Sequence, residues 1–145
     1  MRVFNILNTK GRDIVCVDRT TGIREVANIL AEYKIGALPV VDSSGEPIGI
    51  ISERDIIHAI ANDGTETCSK TTEDLMTYVV VTCNADDSIA EIVELMKKNN
   101  FRHLPVRGKE GLAGMISMRD VATIRLLELE MENETLRDLL AADAA

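Results

Sequence analysis

The chain has 145 residues, 46% of them apolar, with a net charge of −8 at pH 7 and a pI near 4.8. That suffices for one domain, or for two small repeats sharing an interior. The acidic balance argues against gripping nucleic acid phosphates, and no run nears the ~18 apolar residues of a membrane span.

The opening "MRVFNILNTK" lacks the apolar centre and cleavage site of a signal peptide, so a reducing cytoplasm is the expected compartment. Cys16, Cys68 and Cys83 agree, being odd in number, widely spaced and without a CxxC pair. A short amphipathic piece, "VFNIL" (3–7), leads to a strand "IVCV" (14–17), where Cys16 reads as a small buried hydrophobe. Ile23, Val26, Ala27 and Leu30 recur at helical spacing and predict a helix with one buried face. "ALPVVD" and "PIGIIS" then flank "SSGE" (43–46) as a hairpin. Proline lacks the ladder donor, so Pro39 puts its strand at a sheet edge or at its own start. "GIISERD" (49–55) enters a further helix, with Ser52 and Asp55 in the form of a capping box. The polar stretch 63–71 reads as a linker.

The chain then repeats itself. "TEDLM" (72–76) answers "VFNIL", and "VVVTC" (79–83) answers the first strand, with Cys83 as its buried hydrophobe. "SIAEIVELMKKNNFRHLPVR" (88–107) overlays "GIREVANILAEYKIGALPVV" (22–41), setting Ile89 on Ile23, Ile92 on Val26 and Met96 on Leu30. Pro105 falls where Pro39 stands, and "GMISMRD" (114–120) restates "GIISERD", with Ser117 and Asp120 as the second cap. A cap explains Ser and Asp, but neither the preceding Gly nor Arg54 and Arg119. The phrase asks for a second role.

In the tail, "VATIRLLELEMENETLRDLLA" (121–141), Leu126, Asn133 and Leu140 take heptad position a, and Leu129 and Leu136 take d. Arg125 and Glu132 at g then oppose Glu130 and Arg137 at e of a parallel partner. The seam is short, and Ile124, Leu127 and Met131 make a second apolar stripe. The helix can therefore form a coil or fold back on its own or the partner's module.

With these residues in view, the chain resembles a tandem pair of CBS domains (the cystathionine-β-synthase repeat), the regulatory unit called a Bateman module. The resemblance rests on "GALPVVD", hairpin and "GIISERD" in one copy, and on "RHLPV", hairpin and "GMISMRD" in the other. It implies an α/β (α+β) fold of two pseudo-symmetric repeats, each a small mixed sheet with flanking helices, at residues 2–62 and 72–127. A C-terminal helical extension follows at 128–145. It also implies two clefts that bind adenosine nucleotides, AMP, ADP or ATP, and sometimes NAD or S-adenosylmethionine.

On that resemblance, Asp55 and Asp120 accept the ribose hydroxyls, and Ser52, Arg54, Ser117 and Arg119 serve ribose or phosphate. A carboxylate suits a cis-diol, because charged acceptors make the stronger hydrogen bonds. Arg102 and His103 stand where the first copy has Gly36 and Ala37, which makes the second cleft the expected phosphate site. The chain has two Tyr, two Phe and no Trp, so adenine would rest on aliphatic side chains and backbone. Val15, Cys16, Val80 and Val81 are candidate walls, with ordinary core strand as the plainer alternative. Gly36, Ala37, Leu38, Pro39, Leu104 and Pro105 complete the candidate adenine pocket.

An enzyme is not expected. His58 and His103 sit in unrelated contexts, and the sequence has no metal-ligand spacing, GxSxG or P-loop. No cofactor is expected beyond the regulatory ligand. With no effector domain attached, the expected output is through a homodimer and an unidentified effector protein, with a ligand-free scaffold as the alternative.

Overall fold

The computed structural model describes residues 1–11, 14–78 and 81–144. Helix α1 (Val3–Lys10) opens the chain, followed by α2 (Ile23–Tyr33), β1 (Ala37–Val41), β2 (Pro47–Ser52) and α3 (Glu53–Asp63). A 3₁₀ turn (Gly64–Ser69), α4 (Thr72–Leu75) and β3 (Thr77–Tyr78) lead into the second copy. That copy comprises β4 (Cys83–Asn84), α5 (Ile89–Asn99), β5 (His103–Gly108), β6 (Gly111–Ser117) and α6 (Met118–Ala144). The result is the expected mixed α/β pair of repeats with a long terminal helix.

The repeat in the letters is a repeat in backbone geometry. Helix α2 buries Ile23, Val26 and Leu30, and α5 buries Ile89, Ile92 and Met96. Each such side chain contributes about 1.5–3 kcal/mol when fully removed from water. Both helices end on a left-handed residue, Lys34 at φ 54° and Asn100 at φ 55°, whose N–H returns to the carbonyl of Leu30 or Met96. β1 and β5 carry the same irregularity, between Val40 and Val41 and between Val106 and Arg107. The hairpins touch at their turns, where the Leu112 N–H donates to the Gly45 carbonyl at 3.2 Å and Arg107 pairs with Glu46.

Two strand expectations need correction. Residues 14–16 form no strand, and Val17 makes one parallel bridge to Val40; in the second copy β4 is only Cys83–Asn84, parallel to Val106 and Arg107. Val79 and Val80 lie outside the described residues. Pro105 is also not on an edge strand, since β5 is central between β4 and β6. Its missing donor is tolerated because pairing with β4 begins one residue later, at Val106. Cys16 is exposed, whereas Cys83 is buried, and burial pushes its thiol up to about 12.

The repeats exchange their leading segments. Val3 and Ile6 of α1 pack in one core with Ile89, Leu104 and Ile116 of the second copy. The Val3 and Phe4 N–H groups donate to the Asp87 and Ala85 carbonyls at 3.0 and 2.9 Å. Conversely, Met76 packs with Ile23, Leu38 and Ile51 of the first copy, and β3 adds to β2. The Thr72 and Glu73 N–H groups reach the Thr21 and Arg19 carbonyls at 2.8 and 2.9 Å. This exchange explains the glycine in the first copy of the phrase, where backbone lies against it, and sets a movable side chain over the glycine of the second. A Cβ on Gly49 would collide with Met76 and stand 2.5 Å from the Thr77 carbonyl, and one on Gly114 would stand 2.8 Å from Leu7 Cδ2. The stretch 63–71 is itself structured, with Thr67 fully buried in the 3₁₀ turn and Lys70 paired to Asp63 at 2.7 Å.

Helix α6 is continuous over Met118–Ala144. Val121 is buried and Ile124 packs on the second core, but every residue from 129 to 144 is exposed. Leu129, Leu136 and Leu140 are 46%, 59% and 68% exposed, so the helix does not fold back on its own module. Among the described residues no helix is long and apolar enough to cross a membrane.

Candidate functional site

The two Ser-x-Arg-Asp phrases each stand where a strand becomes a helix. Ala37 opposes Ser52 across the first hairpin, and the Glu53 N–H donates to the Gly36 carbonyl at 2.9 Å. His103 opposes Ser117 across the second, and the Met118 N–H donates to the Arg102 carbonyl at 2.8 Å. The sequence-selected polar residues thus gather into two equivalent groups, one per repeat.

Both caps form. Asp55 Oδ2 accepts the Ser52 N–H at 2.8 Å and its hydroxyl at 3.0 Å, while Ser52 Oγ accepts the Asp55 N–H at 3.3 Å. Asp120 Oδ2 accepts the Ser117 N–H at 2.9 Å, and Ser117 Oγ accepts the Asp120 N–H at 3.0 Å. Among the described residues these contacts leave Oδ1 of each carboxylate without a hydrogen bond. The cap fixes the carboxylate and keeps one acceptor oxygen open. Arg54 and Arg119 in the same turns are exposed.

The groups differ in charge, and more than the Arg102–His103 pair foretells. Lys10, the last residue of α1, places Nζ 2.8 Å from Asp120 Oδ2 and 3.3 Å from the Met115 carbonyl. Burial alone would raise the Asp120 carboxyl, but the Lys10 hydrogen bond, the Ser117 N–H and the Lys10 charge hold it below the usual carboxylate range. His103 is pushed down, first by burial and then by Lys10 and Arg102, against the opposing pull of Asp120 and Glu53. It is therefore largely neutral at pH 7, and offers a ligand a ring N–H rather than a full charge.

Lys10 and Glu53 were not singled out from sequence. Lys10 precedes the first strand and so belongs, in the letters, to the wrong repeat. Glu53 was visible as the one charged difference between "SERD" and "SMRD".

The candidate adenine residues divide. Leu38 and Leu104 have no exposed surface and Ala37 only 2%, so they support the strands from inside the cores and do not wall a pocket. Pro39 and Pro105 are also buried. Val15, Gly36 and Val81 are partly accessible and Cys16 is exposed, while Val80 lies outside the described residues. Val15 and Val81 pack against the two cores.

A concavity of about 640 Å³ lies at the other end of the first repeat, lined by Cys16, Asp18, Arg19, Thr21, Asp42 and Ser43 among others. Cys16 is its one residue in common with the expected site. Hydrogen bonds from Thr20 hold Asp18 low, and those from Ser44 and Glu46 hold Asp42 low, so two fixed carboxylates face that hollow. Arg19 lines the same hollow beside these two carboxylates. Among the described residues no group of three His, Cys, Asp or Glu is placed to hold a metal ion.

Comparison with known proteins fits this arrangement. The CBS domain family model matches twice, over residues 7–62 and 73–126, together more than half of the chain. The chain belongs to the CBS domain family. This CBS pair is similar to the CBS-domain protein ATU1752 of Agrobacterium tumefaciens, with a TM-score of 0.78 and 38% identity over 86% of this chain and 99% of that one. It is similar also to the CBS domain pair of protein MJ0100 in complex with 5′-methylthioadenosine and S-adenosyl-L-methionine. There the TM-score is 0.76 and the identity 28%, over 88% of this chain and 98% of that one. Protein MK0525 of Methanopyrus kandleri is 30% identical over 86% of this chain, and the match spans 64% of that protein's length.

Proposed function

We propose that this CBS pair is a regulatory module that binds an adenosine nucleotide (AMP, ADP or ATP, with NAD as a further candidate) at the two hairpin–helix junctions. The observation that carries this is the pair of capped carboxylates, Asp55 and Asp120, each keeping Oδ1 open for a ribose hydroxyl. The MJ0100 pair, whose two ligands both contain adenosine, supports the ligand class. The second junction favours phosphate, because Lys10, Arg102 and Arg119 add cations beside Asp120.

Thermal denaturation against a panel of adenine compounds tests this. A ligand specific to the folded chain, at 100 times its dissociation constant, should stabilise it by about 2.7 kcal/mol. Arg102→Ala should weaken ATP more than adenosine, since it removes charge where only the nucleotide has phosphate. No shift with any adenine compound would leave the ligand-free scaffold, in which Ser-x-Arg-Asp serves only as a cap.

The output runs through assembly, and α6 supplies the surface for a parallel homodimer. Its exposed Leu126, Leu129, Leu136 and Leu140 form one seam, and Arg125 and Glu132 would meet Glu130 and Arg137 of a second copy. In the single chain Arg125 turns instead to Glu128 at 3.3 Å. Light scattering at micromolar concentration should give a dimer, and a chain ending at Glu128 should dissociate more readily. A monomeric full chain would refute the dimer, and an unaffected dimer after truncation would refute the role of α6.

A further inference from the structure

We propose that Lys10 makes the second junction selective for adenosine carrying a 5′-phosphate, by occupying Asp120 until a phosphate draws the ammonium away. This rests on the nucleotide reading above and deepens it.

The asymmetry behind it is one of helix length. Helix α1 has 8 residues and α4, its counterpart, has 4. The additional turn of α1 carries Lys10 to Asp120, whereas among the described residues no lysine reaches Asp55. Asp120 Oδ1 is open to one ribose hydroxyl, but Oδ2, where the second hydroxyl of a cis-diol would turn, already holds an ammonium at 2.8 Å and the Ser117 N–H at 2.9 Å. A nucleoside without phosphate must compete with that ammonium and offers it no new anion. A nucleotide offers a dianionic phosphate, and Lys10 has the four-carbon stem and the exposure, 44% of its side chain, to turn toward it. Arg102 and Arg119 stand at the same junction as further cations.

The exchange leaves the cap intact, because Ser117 continues to hold Asp120. At the first junction Asp55 Oδ2 is held by the Ser52 N–H and hydroxyl alone, and among the described residues no ammonium has to be drawn off it before a ribose can approach. Lys10 is thus a specificity-determining residue contributed by a segment that precedes the other repeat.

The test is calorimetry with adenosine and with AMP on the full chain and on Lys10→Met. The variant changes only the second junction, so the difference between the two chains reports that site. AMP should bind the variant about tenfold more weakly or worse, the loss of a charge-assisted contact, while adenosine binds equally well or more tightly. Effects of opposite sign are not what a structural role produces. Equal weakening of both ligands, or no change in either, would overturn the Lys10 proposal and leave the nucleotide reading standing. If neither compound binds the unmodified chain, both fall together.

Discussion

Ile6→Ala is expected to lower the unfolding free energy by about 2–5 kcal/mol, the usual cost of a large-to-small change in a closed core. The loss should appear in the second repeat, not in the one that Ile6 precedes. Ile6 is 4% exposed and Val3 is fully buried, and both sit among Ile89, Ile92, Leu104 and Ile116. Backbone bonds from Val3 to Asp87 and from Phe4 to Ala85 fasten the same segment there. Hydrogen exchange should therefore speed up in β5 and β6 while β1 and β2 hold their protection. Loss of protection confined to β1 and β2 would contradict the exchange of leading segments. So would a stability change below about 1 kcal/mol.

Asp120→Ala should cost roughly 1.5–3 kcal/mol of nucleotide affinity at the second junction, about tenfold to 150-fold, as the ribose loses a charged acceptor. The same change removes the returning half of the capping box, which leaves the Ser117 N–H without its acceptor while Ser117 Oγ still caps α6, with an expected stability loss of about 0.5–1.5 kcal/mol. Asp120→Asn separates the two effects. Its amide oxygen can still accept the Ser117 N–H, but it carries no charge for Lys10 or the ribose. Calorimetry should show weakened binding in both variants, and thermal denaturation should show the larger stability loss in the alanine chain alone. Unchanged binding by Asp120→Asn would mean that the carboxylate serves only as a cap.

The repeat was legible because each copy must solve the same local problems. Helical spacing selected Ile23, Val26 and Leu30 and their counterparts Ile89, Ile92 and Met96, and all six are buried. Ser52–Asp55 and Ser117–Asp120 formed the caps that their spacing predicts. Those signals are local, and so they survive reading one letter after another. What did not survive is the partnership between distant segments. Nothing in "VFNIL" says that it packs under Ile116 rather than Ile51. Lys10 meets Asp120 across 110 positions of chain, through that same exchange.

The strand expected around Cys16 is absent for a related reason. Its apolar run suggested burial, but only Val17 pairs, and Cys16 turns outward. Leu38 and Leu104 enter the candidate pocket through their place in the repeated phrase. Burial shows that their work is internal, whereas Val15, Gly36 and Val81 keep part of their surface accessible.

Diffraction from crystals grown with AMP decides whether the repeated Ser-x-Arg-Asp phrase is, as proposed, a ribose site built on a helix cap. Ribose hydroxyls are expected within hydrogen-bond distance of Asp120 Oδ1, with the phosphate facing Lys10, Arg102 and Arg119. A nucleotide seated instead in the hollow between Asp18 and Asp42, or AMP that binds in solution but leaves both Asp55 and Asp120 untouched, would contradict that proposal.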